Sequence, residues 1–276
     1  MRGGRLNLLY ITRDPAVAEV LQRCGVDWVF VDLETLGKAE RQAGRNTVKS
    51  DHTVEDVRAV RAVLDRSQLL VRINPWGPHS QAEIDAVVAA GADIVMLPFF
   101  TNAAEVRGFV EALANRARCC LLMETPEACA VLDDVLAVPG IDHVHIGLND
   151  LHMAMGQRFM FEPLADGTVE RIGRPCLERG ISFGFGGCAR VGSLVPPAED
   201  ILAEHYRLGS TSVILSRSFC NLEAMENLAA VEASICSGVA EIRAWEAELR
   251  KKDEAFFEQN RESVRRDVLA VAAKMR

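Results

Sequence analysis

Short apolar runs alternate with helically spaced segments along most of this chain, a pattern that predicts repeated β/α units around a parallel sheet. The apolar runs fall at residues 6–11, 27–34, 68–74, 93–99, 118–124, 142–147, 181–187 and 210–215. Each reads as a buried strand, because a strand covered on both faces shows continuous apolar residues. Helical spacing occupies 14–23, 54–64, 81–90, 103–114, 126–136, 171–179 and 198–208. Asp14 is placed to cap the first helix, and Pro126 falls in a first turn that tolerates it. Glycine stops several helices just before the next strand, as in Cys24-Gly25-Val26-Asp27 and Leu208-Gly209-Ser210. Residues 35–52 are polar and show no clear period.

Eight strands in one even series predict an α/β fold, a closed (β/α)8 TIM barrel with a long C-terminal helical extension. The alternative is an open doubly wound sheet, which usually carries a glycine-rich phosphate loop after its first strand. Here that position reads Ile11-Thr12-Arg13-Asp14-Pro15, with no such loop. The barrel is expected over 1–221. Residues 222–276 form a helix-rich, charged arm with Ile242, Trp245, Leu249, Phe256 and Phe257 as its apolar positions. That arm either covers the barrel or packs on a neighbouring subunit.

Charge and cysteines narrow the setting. A net charge of -8 argues against non-specific nucleic-acid binding. No apolar run reaches the roughly 18 residues of a membrane span, and the N-terminus has no signal-peptide pattern. The eight cysteines include no CxxC pair and fall mostly inside predicted elements (Cys24, Cys119, Cys120, Cys129, Cys176, Cys220). They are expected to be reduced core residues of a cytoplasmic protein.

The candidate chemistry lies at the strand ends. Glu124 and Asp150 each follow an apolar run, and two carboxylates on neighbouring strands can share one hard divalent cation. Oxygen ligands favour magnesium or manganese, with cobalt or zinc as alternatives. Arg72 interrupts the buried run Leu69-Leu70-Val71-Arg72-Ile73-Asn74, so its charge needs a partner. It is either a structural ion pair or a guanidinium that binds a carboxylate and a developing enolate oxygen. Gly147, Leu148, Asn149 and Asp150 lie at a strand-to-loop transition whose N–H groups can hold a substrate carboxylate. Gly184, Gly186 and Gly187 offer similar room, or simply close packing. Asp32 and Glu34 share a strand face; either is placed to orient a metal-bound water, or one of them is a plain partner for Arg72 or Arg45. His52, at the end of the polar segment, is either an acid–base group or an exposed loop histidine. His143 and His145 alternate with apolar residues and read as satisfied core histidines.

These motifs together resemble the HpcH/HpaI aldolase and citrate lyase β-subunit-like superfamily over roughly residues 6–220. The resemblance is carried by Val31-Asp32-Leu33-Glu34, Leu70-Val71-Arg72-Ile73-Asn74, Met96-Leu97-Pro98-Phe99, Met123-Glu124-Thr125-Pro126-Glu127-Ala128 and Ile146-Gly147-Leu148-Asn149-Asp150-Leu151. It implies a metal held by Glu124 and Asp150. It also implies that Arg72 binds the oxo acid, whose carboxylate is held by the N–H groups of 147–150. Relatives of this type make or break a carbon–carbon bond next to a pyruvate-like or acetyl unit, and commonly assemble through exchanged C-terminal helices. A homo-oligomer is therefore expected. The aldolases of the family carry a Gly-Glu-His motif after strand two; here the stretch is Leu33-Glu34-Thr35, which leaves His52 or Glu34 as the base.

The leading expectation is a metal-dependent lyase of the pyruvate-aldolase type, acting on hydroxylated 2-oxo acids with an aldehyde as the second partner. One alternative is a citrate lyase-like or malyl-CoA lyase-like enzyme, with Lys38, Arg41, Arg45 and Lys49 as a phosphate groove. The other is a barrel that binds an oxo acid without turning it over.

Overall fold

The computed structural model describes residues 4–36, 52–192 and 195–275. Eight parallel strands close into one barrel in sequence order, and the first pairs with the last. They are β1 (Asn7–Ile11), β2 (Trp28–Asp32), β3 (Gln68–Arg72), β4 (Ile94–Leu97), β5 (Arg118–Met123), β6 (His143–Ile146), β7 (Ser182–Cys188) and β8 (Ser212–Leu215). Because all run the same way, their C-terminal ends share one rim, the face where barrel active sites are built.

The first half of the chain alternates as its pattern predicts, with α1 (Pro15–Arg23), α2 (Val54–Val63), α3 (Ser80–Ala89) and α4 (Ala103–Leu113). Their starts follow capping chemistry. The Asp14 carboxylate accepts from the Ala16 N–H, and Thr53 with Asp56 forms a reciprocal capping box. The single helix expected over 126–136 is instead α5 (Pro126–Ala130) and α6 (Leu132–Leu136), broken at Val131, whose φ of -113° and ψ of 28° are not helical. Two short helices missed by the period count follow β6, α7 (Leu148–Ala154) and α8 (Glu162–Ala165); they are too short to show a repeat. Then come α9 (Thr168–Glu178) and α10 (Ala198–Leu208).

Two apolar layers result. Leu9, Trp28, Phe30, Leu70, Ile94, Met96, Cys120 and Leu122 fill the barrel interior. A larger layer packs the outward strand faces against the helices. His143 and His145 lie in the interior, as expected of satisfied core histidines. His143 bonds Ser182 Oγ at 2.8 Å and Ser212 Oγ at 2.9 Å, and the edge of its ring meets Trp28. Gly184 serves packing rather than substrate room, since a Cβ there would strike Ser212.

The C-terminal stretch forms α11 (Leu228–Leu249) and α12 (Glu254–Ala272). Helix α11 lies between α1 and α10 as the outer helix that follows β8, with Ile235 and Ile242 fully buried. The Leu6 N–H donates to Glu246 at 2.7 Å, and Arg243 donates to Leu6 O at 2.9 Å and to Asp27 at 2.8 Å. Helix α12 packs on α8 and α10. The arm therefore covers its own barrel.

The cysteine expectation is corrected. Cys24, at the end of α1, and Cys236, in α11, form a disulfide across 212 positions. Packing of α11 on α1 brings their Cα atoms to 4.5 Å. A pair this distant leaves no local spacing motif to read. The other six cysteines are free, five of them buried. Among the described residues no helix is long and apolar enough to cross a membrane.

Candidate active site

The rim above β2, β3, β5 and β6 gathers one arginine and several carboxylates. Arg72 ends β3 and pairs in register with Asp32, the last residue of β2. Its Nε and Nη2 both donate to the Asp32 carboxylate at 2.8 Å, a bidentate fork. Nη2 also lies 3.2 Å from Glu34. The guanidinium sits over the Phe30 ring, 5.7 Å from its centroid. Nη1 makes no hydrogen bond to a described residue, which leaves one donor edge for a ligand. Burial opposes the charge on Arg72, but Asp32, then Glu34 and Glu124, overcome it and hold the pKa above the ordinary arginine value. The structural reading of this arginine is what the geometry shows: Asp32 fixes the guanidinium, and Nη1 has no hydrogen-bond partner among the described residues.

Glu124 follows β5 and is only 2% exposed. Burial pushes its carboxyl well above the usual range; Arg72 opposes that shift, while Asp150 and Glu34 add to it. So Arg72, Asp150 and Glu34 all lie near enough to Glu124 to act on its charge. The Phe99 N–H donates to Glu124 Oε1 at 3.3 Å, and Phe99 has a left-handed backbone, φ 49°. Strained backbone of this kind is tolerated where the surroundings hold it in place.

Gly147 stands immediately before α7, and its N–H is spent on Met123 O at 3.0 Å. That corrects the expectation that Gly147 itself would hold a carboxylate. The N–H groups that follow, on Leu148, Asn149 and Asp150, form the first turn of α7, which lacks intrahelical acceptors. A Cβ on Gly147 would lie 2.8 Å from Glu124 Oε2, so the missing side chain is what lets β6 pass that carboxylate.

The donor set fits a hard cation. Three acids, Asp32, Glu34 and Glu124, act on one arginine whose fork is already spent, and Asp150 adds a further negative charge beside Glu124; a divalent ion would relieve that excess. Among the described residues no three His, Cys, Asp or Glu side chains converge to hold an ion alone. Glu124 and Asp150 would supply two oxygens, with substrate and solvent completing the shell, a pattern magnesium and manganese accept.

His52 lies beside the cluster. Its Nδ1 accepts the Asp32 N–H at 3.1 Å, which puts the proton of the neutral ring on Nε2. That bond ties the histidine to the last residue of β2. Lys38, Arg41, Arg45 and Lys49 lie outside the described residues. Asn74 is a site neighbour that sequence reasoning passed over. Its position two residues beyond Arg72 was the available signal, since strand alternation sends both to one side. Nothing in the sequence announces the Phe99 backbone.

The HpcH/HpaI aldolase/citrate lyase family model matches residues 5–160. The hydroxypyruvate/pyruvate aldolase of Roseovarius nubinhibens is 28% identical over 181 residues, covering 52% of this chain and 62% of that protein. The 4-hydroxy-2-oxo-heptane-1,7-dioate aldolase of Salmonella typhimurium is 29% identical over 174 residues, covering 50% of this chain and 59% of that protein. The chain thus spans less than two thirds of the length of these curated relatives. Among solved structures, an HpcH/HpaI aldolase from Desulfitobacterium hafniense superposes with a TM-score of 0.60 at 17% identity, covering 87% of this chain and 93% of that one.

Proposed function

The chain belongs to the HpcH/HpaI aldolase/citrate lyase family, and we propose that it is a divalent-metal-dependent carbon–carbon lyase acting on a hydroxylated 2-oxo acid. The observation that carries this reading is the buried Glu124 carboxylate, set against Asp150, Glu34 and Arg72 at one end of the barrel. Substrates would be a pyruvate-type 2-oxo acid and an aldehyde, with magnesium or manganese as the ion and cobalt or zinc as alternatives.

When bound by Glu124 and Asp150, the cation supplies Lewis-acid polarisation of the oxo acid. The rest follows from the chain's own groups. In the cleavage direction the donor hydroxyl loses its proton and its oxygen becomes the aldehyde carbonyl. The carbon–carbon bond breaks, and its electron pair forms the double bond of the pyruvate enolate. The Nη1 edge of Arg72, which no described residue holds, faces the negative charge that develops on the enolate oxygen, and the Asp32 fork keeps that edge from rotating away. The first turn of α7 holds the substrate carboxylate. We assign the hydroxyl proton to Glu34, the carboxylate that neither forks Arg72 nor belongs to the metal pair. His52 can serve as a second acceptor only by releasing the Asp32 N–H from its Nδ1, since its Nε2 already carries the proton, so it ranks behind Glu34.

The test is proton–deuterium exchange at the pyruvate methyl group, followed by NMR with magnesium, with manganese and with chelator. Metal-dependent exchange that disappears in Glu124→Gln supports the reading. Confirmed metal binding without exchange turns the proposal toward CoA-linked hydroxy acids or a binding-only barrel. Separate pH–rate profiles of Glu34→Gln and His52→Ala distinguish the two proton acceptors.

A further inference from the structure

We propose that Asn74 and Glu83 form a positioning pair that fixes Glu34 against Arg72. This rests on the lyase reading above. The last ladder-type bond between β2 and β3 is from Leu33 N–H to Arg72 O, 2.9 Å. Beyond it the Asn74 side chain takes over. Its Oδ1 accepts the Thr35 N–H at 2.9 Å, the Leu36 N–H at 2.9 Å and the Thr35 hydroxyl at 3.3 Å. Its Nδ2 donates to Glu83 Oε1 at 2.7 Å, and its backbone N–H sits 3.2 Å from both Glu83 oxygens. Only this orientation of the amide works, because the flipped one would aim a donor at two backbone N–H groups and an acceptor at the Glu83 carboxylate.

The pair extends strand pairing by two residues on the far side of Glu34. Glu34 is left between two fixed points, Leu33 on Arg72 and Thr35 on Asn74. Thr35 and Leu36 are exposed, so water would satisfy their N–H groups without help. Glu83, by contrast, is mostly buried at the start of α3, its side chain 15% exposed, where burial raises its carboxyl pKa and the two Asn74 bonds lower it. His79 Nε2 lies 4.0 Å from the same carboxylate. Desolvating a carboxylate to orient an amide gives little net stability. What it secures is geometry: the 3.2 Å separation of Glu34 from Arg72.

The pair can be inverted, which gives the test. Asn74→Asp removes the donor and sets two carboxylates together. Adding Glu83→Gln restores a donor on the opposite partner, while the new carboxylate still accepts from Thr35 and Leu36. The expected result for Asn74→Asp is a fall of about tenfold or more in kcat for pyruvate methyl exchange, with manganese affinity and KM nearly unchanged. The double variant recovers most of the rate. Deuterium uptake at residues 33–36 rises in Asn74→Asp and returns in the double variant. An unchanged kcat in Asn74→Asp, or a double variant no better than the single one, overturns the proposal. A wild-type protein with no metal-dependent exchange removes the lyase reading alone. In that case the deuterium uptake decides on the pair, and unchanged uptake in Asn74→Asp overturns it.

Discussion

Adding one carbon at Gly147 puts the site geometry to a direct test. Its φ of -79° is one alanine adopts, so Gly147→Ala introduces no backbone strain. The new Cβ would lie 2.8 Å from Glu124 Oε2, 3.0 Å from Glu124 Cβ and 3.2 Å from Leu122 Cδ1. Tolerated carbon–oxygen contacts begin near about 3.3 Å, so the carboxylate or the start of α7 must move by about half an ångström. Overpacking of this size costs about 1–3 kcal/mol, which a barrel of this length withstands. A reacting group displaced by 1 Å costs about a hundredfold in rate, so half that displacement costs about tenfold. Gly147→Ala is therefore expected to remain folded, with metal-dependent methyl exchange down about tenfold and manganese affinity weakened. The assays are NMR exchange at saturating metal, a manganese titration, and a thermal melt as control. Wild-type exchange and affinity in a folded variant would refute the placement of Glu124 at the reacting centre.

Other predictions follow from the same structure. Arg72→Lys replaces a planar fork by a point charge, so it loses the bidentate hold on Asp32 and about 2–3 kcal/mol of transition-state stabilisation; a kcat/KM ratio near unity against wild type would contradict this. Reducing the Cys24–Cys236 bridge frees a loop spanning 212 positions and is expected to lower stability by about 2–5 kcal/mol. Melting with and without reductant checks it, with Cys24→Ser as the matching variant. Stability should also fall with acid. Burial lowers the pKa of His145 to about 4 and moves His143 and His205 well below 6.5. An unfolded histidine titrates near 6.5, so the unfolded chain binds more protons as pH drops below that value. The stabilisation is complete above about pH 6.5 and is lost toward pH 4, with roughly 3 kcal/mol from His145 alone. Urea midpoints that stay constant from pH 7 to 4 would contradict the buried, neutral state.

The barrel was legible because its strands are continuous apolar runs and its helices end at glycines, signals that reside in adjacent residues. Arg72 and Glu124 were legible for a related reason: a charge that interrupts or ends an apolar run stands out. The partners of those charges were harder to read. Asp32 was a possible partner for Arg72, and strand register is what brings the two together, while Arg45 lies outside the described residues. Val131 breaks a helix through backbone angles that no residue type there demands. Asn74 looked like an ordinary strand-end residue, because its three acceptor bonds reach a segment about 40 positions earlier. The Cys24–Cys236 bridge lay beyond reach, since it depends on where the last helices dock.

That docking has a consequence for synthesis. The Leu6 N–H, the Leu6 carbonyl and the Asp27 carboxylate all receive their partners from Arg243 and Glu246. The first strand therefore cannot be completed while the chain is still emerging; its edge waits for β8 and its cap for α11. Contacts this distant in sequence are slow to form and leave apolar edges open meanwhile. A nascent chain halted before residue 240 would lack Arg243 and Glu246, so the Leu6 groups ahead of β1 would be without those partners. Ribosome-stalled chains should accordingly gain protease resistance in one late step, once α11 has cleared the exit tunnel, rather than in increments per β/α unit.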